Sequence, residues 1–124
     1  MSDKKILSKA DILRADDIKT IEVAVPEWGG SVLLRGLTGR ERDLFEESIL
    51  DQTGKKTKVR LKNARARLIA LSMVDEDGNH VFNENEVAIL GEKSSAALDR
   101  VYTEAARISG ISDDDMDELL KNGE

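Results

Sequence analysis

From Thr20 to Val25 apolar and polar positions alternate, with Ile21, Val23 and Val25 on one side and Glu22 and Ala24 on the other. A period of two predicts a strand with one buried face. Pro26, the only proline, has no amide hydrogen to give a ladder and closes that strand. Gly29-Gly30 supplies the positive-φ freedom of a hairpin turn, and Ser31 to Leu37 is the expected return strand. Thr38 then opens a helix, because Thr38 and Glu41 have capping-box spacing and each can satisfy an orphan amide of the first turn. Leu44, Phe45 and Ile49 are its expected apolar stripe.

Residues 51–56 read as a loop. A helical period through Leu61, Ala64, Leu68 and Leu71 predicts a second helix from Lys58 to Met73, broken by the acidic turn from Asp75 to Asn79. His80-Val81-Phe82 is a short extended piece. Asn83 with Glu86 is another capping pair, opening a short helix that Gly91 ends. Ser94 or Ser95 starts the longest helix, with Leu98, Val101, Tyr102, Ala105 and Ile108 on one face and Gly110 as its stop. Ser112 is expected to cap a last helix, with Asp113, Asp114 and Asp115 against its N-terminal dipole and Met116, Leu119 and Leu120 buried. Before the hairpin, Ser8 and Asp11 can cap one short helix that Ile12 and Leu13 would dock. The fold expected is mainly α (α+β): one domain over 1–124, with a partly flexible segment at 1–19, a β-hairpin at 20–37 and four to five helices filling 38–122.

Composition narrows the function. Only 3% of the 124 residues are aromatic against 40% hydrophobic, so the core must be aliphatic, which favours helical packing. A net charge of −6 argues against a dedicated nucleic-acid binder, which needs a basic surplus to neutralise phosphate. The absence of cysteine removes disulfides, thiol catalysis and cysteine-based zinc sites, and fits a reducing compartment. The start, Met1 to Leu7, lacks the long apolar stretch of a signal peptide, and no run approaches the ~18 apolar residues of a membrane span. The expectation is a cytosolic protein with neither nucleic acid nor membrane as partner.

Three features invite a chemical reading. Residues 75–86 place Asp75, Asp77, Asn79 and Glu86 at calcium-loop spacing, but His80 stands where the sharp turn of an EF-hand wants glycine, and no second loop exists. An acidic turn leading into an Asn-capped helix is the simpler reading. Lys55, Lys56, Lys58, Arg60, Lys62, Arg65 and Arg67 form a basic stretch with no acid between. On one helix Lys58, Lys62 and Arg65 would share one flank of the apolar stripe and Arg60 and Arg67 the other, a solvated flank or a complement to an acidic partner, without the aromatics of a nucleic-acid reader. Trp28, at the hairpin tip, is expected to fold back on the sheet, the alternative being display to a partner. His80 is the only histidine, no serine sits in a nucleophile elbow, and no Gly-Lys-Ser/Thr follows the glycines, so no catalytic residue and no cofactor site is assigned.

The Val-Pro-Glu-Trp-Gly-Gly-Ser-Val hairpin from Val25 to Val32 and Leu37-Thr38-Gly39-Arg40-Glu41-Arg42-Asp43 resemble tail assembly chaperones of long-tailed, siphovirus-type bacteriophages and prophages. So do the start with Asp16-Asp17, the segment from Val74 to Phe82, and Leu98 to Tyr102 leading to Ile108-Ser109-Gly110-Ile111. The resemblance runs in order over residues 6 to 122. It implies a non-enzymatic assembly factor of the host cytoplasm that binds the helical tape measure protein and keeps it soluble. It also implies recruitment of tail tube protein, sometimes through a longer frameshifted product, and absence from the mature virion. Self-association is a further expectation. The alternatives are a small calcium-responsive module using residues 75–86 and a structural tail protein retained in the virion.

Overall fold

The structure, a computed structural model, describes residues 5–51, 58–59 and 63–112, with residues 50, 51, 58 and 59 described by backbone alone. A short helix α1 (Lys9–Arg14) precedes strand β1 (Thr20–Val25). A single 3-10 turn (Pro26–Trp28) leads into β2 (Gly30–Arg35), and α2 follows (Gly39–Ile49). The short strands β3 (Leu50–Asp51) and β4 (Lys58–Val59) pair with each other, then come α3 (Ala64–Ser72) and β5 (Met73–Val74). A 3-10 turn (Glu84–Glu86) runs into α4 (Val87–Leu90), and α5 (Ser95–Ile108) is the longest element.

The hairpin forms as its alternation predicts. β1 and β2 are antiparallel, with Ile21 opposite Leu34 and Val23 opposite Val32. Residues directly opposite share a face, so Val23, Val25 and Leu34 enter the core together while Glu22 and Ala24 stay exposed. Gly29 carries the turn at φ 76°, with its amide bonded back to the Pro26 carbonyl. β5 adds a third strand to the sheet, pairing Leu34 with Met73. That strand replaces the predicted end of a helix. The chain leaves α3 extended at Met73 because the open edge of β2 offers backbone partners there.

α3 lies at the centre, packed on α5, α2, α4 and β2. Ala66, Leu68, Ile69, Ala70 and Ser72 are all buried, so this helix is covered on more than one side. The expected helix from Lys58 to Met73 is therefore shorter than its periodicity suggested. Pairing of Leu50 with Val59 and Asp51 with Lys58 takes the first residues into a ladder, and Asn63 sits in the left-handed region at φ 61° just before α3. The amphipathic face predicted for α5 is observed, with Ala97, Leu98, Val101 and Ala105 buried and Tyr102 and Ile108 packed alongside. Ser94 caps it and Gly110, at φ 73°, follows its end.

Two contacts fix the end of α5 against the end of β2. A Cβ on Gly36 would stand 2.7 Å from the Ile108 carbonyl oxygen, so only glycine allows this approach. Beside it, the Leu37 amide donates to Ser109 Oγ at 3.1 Å. The predicted last helix lies outside the described residues.

Candidate functional site

The site grows from the start of α2. Thr38 and Glu41 form the predicted capping box: the Thr38 amide donates to Glu41 Oε1 at 2.9 Å and the Glu41 amide to Thr38 Oγ1 at 3.1 Å. The same Glu41 carboxylate accepts from Arg35 and lies beside His80, both from other elements. Arg35 Nη2 reaches it at 2.9 Å from β2, and His80 Nε2 lies 3.2 Å away on the turn after β5. One carboxylate thus joins β2, α2 and the 75–80 turn, and holds that turn beside α2.

That placement opens a cavity of about 490 Å³ between α2, α3 and residues 80–87. Its apolar walls are Leu44 from α2, Ala70 and Leu71 from α3, Val81 and Phe82 after the turn, and Val87 at the start of α4. Leu44 and Val81 are 45% and 47% exposed, although both are large hydrophobics. Leu44, predicted to bury beside Phe45 and Ile49, instead borders the groove; it lies about 100° around the helix from Phe45, and only one of the two directions meets the core. Polar side chains complete the lining, with Ser48 and Arg67 on the helices and His80, Asn83, Glu84 and Glu86 between the turn and α4. A half-open trough of this size, with apolar and charged side chains in its lining, can accommodate apolar side chains of another chain.

Of the calcium candidates read from sequence, Glu86 alone lines the groove, while Trp28 and Arg65 lie elsewhere. Trp28 folds inward and packs against the core, with its indole nitrogen buried and unmatched by an acceptor among the described residues. Next to it, Glu27 bonds Arg100 of α5 at 3.2 Å; its own backbone amide, and then Arg100, hold its carboxyl below the usual value. Arg65 is on α3, with Nε 3.4 Å from Asp99 and its guanidinium carbon 6.0 Å from the centre of the Tyr102 ring. Lys58 is in β4, not on that helix, and Lys62 lies outside the described residues, so no shared helical flank forms. Neither Trp28 nor Arg65 lines the groove.

Asp75, Asp77, Asn79 and Glu86 serve local backbone geometry. Asp75 Oδ1 accepts the amides of Asp77 and Asn79 at 2.9 and 3.0 Å, and Gly78 makes the turn at φ 86°. Glu86 Oε1 accepts the Asn83 amide at 3.0 Å in the predicted second capping box. The chain reverses at Gly78, two residues before His80, and His80 pairs back with Val74. Among the described residues no group of three or more His, Cys, Asp or Glu side chains lies together in a way that could hold a metal ion.

Val81, Phe82, Leu71 and Val87 were not marked as site residues by their sequence. Each is an ordinary hydrophobe in its own segment, and they converge only in the folded chain.

The sequence pattern of the phage tail assembly chaperone family matches residues 8–121, nearly the whole chain. The chain belongs to the phage tail assembly chaperone family. Its fold is also similar to the solved structure of the bacteriophage HK97 tail assembly chaperone, at 23% identity and a TM-score of 0.59. That match covers 84% of this chain and 95% of the other. Curated proteins give no match. The mainly helical domain with its hairpin, expected from sequence, is thus the fold seen in a tail assembly chaperone. Among the described residues no helix is long and apolar enough to cross a membrane.

Proposed function

We propose that this chain acts without catalysis, holding the tape measure protein soluble in the host cytoplasm and promoting growth of the tail tube around it. The observation that carries this reading is the groove. A member of a tail assembly chaperone family presents half-exposed Leu44 and Val81 at a partly apolar trough, and an amphipathic client helix would cover them. Burying the apolar face of a long helical client would prevent that client from aggregating. The charged lining residues, Arg67 of α3 and Glu84 beside α4, would favour one orientation of the bound helix.

Co-expression tests the reading. A tape measure segment should remain in the soluble fraction with the wild-type chain and fall out with Leu44→Glu or Val81→Glu, whose side chains are already exposed and whose fold should survive. Equal insolubility of the segment with and without wild-type protein would overturn it. Mass spectrometry of purified particles addresses the remaining expectation, that the chain is absent from the virion.

A further inference from the structure

Helix α1 is strongly encoded, yet none of its residues is buried. Ser8 and Asp11 form a complete capping box, with the Ser8 amide 3.0 Å from Asp11 Oδ2 and the Asp11 amide 3.2 Å from Ser8 Oγ. Arg14 and Lys5 add ion pairs to the same carboxylate at 2.8 and 3.5 Å. The hydrophobes on and just before the helix stand in the open: Ile6 is 90% exposed, Leu13 77%, and Ile12 and Leu7 57% each. Ile12 and Leu13, expected to dock α1, are not covered by any of the described residues. A six-residue helix is too short to persist in water on its own propensity; helices below about 12–15 residues are marginal without packing.

One segment of the same chain has complementary chemistry and starts nearby. Residues 113–124 lie outside the described residues. Their sequence holds six carboxylates against one cation, Lys121, and places Met116, Leu119 and Leu120 at helical spacing. The segment from Lys5 to Arg14 has the opposite balance, with Lys5, Lys9 and Arg14 against Asp11, and Asp16 and Asp17 follow only after the helix. Gly36 marks where the two routes meet. Its amide donates to the Lys19 carbonyl at 2.9 Å, and a Cβ on it would stand 3.8 Å from Ile18 Cγ2 and 2.7 Å from the Ile108 carbonyl oxygen. The chain that has left α1 and the end of α5 therefore pass the same glycine. From Ile18 back to Arg14, and from Ile108 on to Asp113, the chain spans at most ~14 and ~18 Å. We propose that residues 113–121 dock on α1 of their own chain, with Met116, Leu119 and Leu120 over Ile12 and Leu13 and with the neighbouring carboxylates towards Lys9. The contact uses neither the groove nor a client, and it can fail while client binding stands, or the reverse.

The chain has no cysteine, which allows a clean cross-linking test. The full-length Leu13→Cys/Leu119→Cys double variant is oxidised at low concentration, with Ala24→Cys/Leu119→Cys as control, since Ala24 is exposed on β1 away from the contact. The first pair should close a disulfide within one chain about tenfold faster than the control, because docking raises the effective concentration of its thiols. Lys9→Glu should reduce that advantage, and so should high salt, which screens exposed charges. A second measurement needs no thiol. In the otherwise unaltered chain, Leu119→Ser/Leu120→Ser should move the NMR backbone shifts of Ile12, Leu13 and Ala15 towards unfolded values while those of α5 stay in place. Closure no faster than in the control would overturn the proposal. So would disulfides formed mainly between chains, which would assign the cover to a second copy, and so would α1 shifts that do not respond to the serine substitutions.

Discussion

Ser72 Oγ, fully buried at the end of α3, donates a 2.8 Å hydrogen bond to the carbonyl oxygen of Arg35 at the end of β2. It links the central helix to the hairpin at the point where Arg35 also sends its guanidinium to Glu41. Backbone and side chain of one residue are therefore anchored to two different helices. Ser72→Ala should remove the donor and leave that carbonyl without it in a dry site, at a cost of about 1–3 kcal/mol. Chemical denaturation should show a lower midpoint with an unchanged slope, and Ser72→Val should be worse than alanine because it adds bulk.

Gly36 is expected to be the least replaceable glycine. Alanine there would place its Cβ 2.7 Å from the Ile108 carbonyl oxygen, a backbone atom that can move only with the end of α5. Overpacking of this kind costs about 1–3 kcal/mol. Gly39→Ala, where a Cβ meets nothing within 4 Å, should be close to neutral, and thermal unfolding of the two variants side by side checks the difference.

Trp28 separates packing from polarity. Because its ring joins the core, Trp28→Ala should destabilise the protein by about 2–4 kcal/mol, towards the lower end of buried aromatic truncations because the residue is only half-buried. Trp28→Phe should retain most of the stability, within about 1 kcal/mol of wild type, since it removes an indole N–H that has no acceptor among the described residues. Equal losses for both variants would refute the inward packing role.

α1 should lose its N-terminal cap in acid. The Ser8 backbone amide, then the Ser8 hydroxyl, with help from Lys5 and Arg14, holds the Asp11 carboxyl below its ordinary value of 3.8. The folded helix therefore binds this proton less readily than the unfolded segment does. Its stabilisation is complete above pH 3.8 and is lost as pH falls through the lowered value. Chemical shifts of the Ser8 and Asp11 amides, followed by NMR from pH 6 downward (conditions chosen to bracket the ordinary range), should move together at that lowered midpoint. In Asp11→Asn the transition should be absent.

Local chemistry made much of the fold legible. The alternation at 20–25 and the Pro26 to Gly30 turn predict the hairpin, and the pairs Ser8/Asp11, Thr38/Glu41 and Asn83/Glu86 predict three element starts that the structure contains. Each is a bond between residues three apart or a repeat of two, so the information lies within a few positions of the element it specifies. The limit was reached where a local period competed with a distant partner. Lys58 to Met73 reads as one helix, but Val59 pairs with Leu50 and Met73 with Leu34, and backbone partners from elsewhere in the chain shortened it at both ends.

The groove is the clearest product of tertiary structure. From sequence, Leu44 and Ile12 are simply apolar positions of amphipathic helices, with nothing to separate them from Phe45. Which apolar residues face the core is decided by how α2 meets α3 and by where the Glu41 carboxylate, shared by Arg35 and His80, holds the 75–80 turn. The chain by itself determined its helices, its hairpin, its caps and its family resemblance, because these depend on neighbours in sequence. Only the folded molecule decided which hydrophobes remain on the surface, because burial depends on residues tens of positions away that must be brought together first.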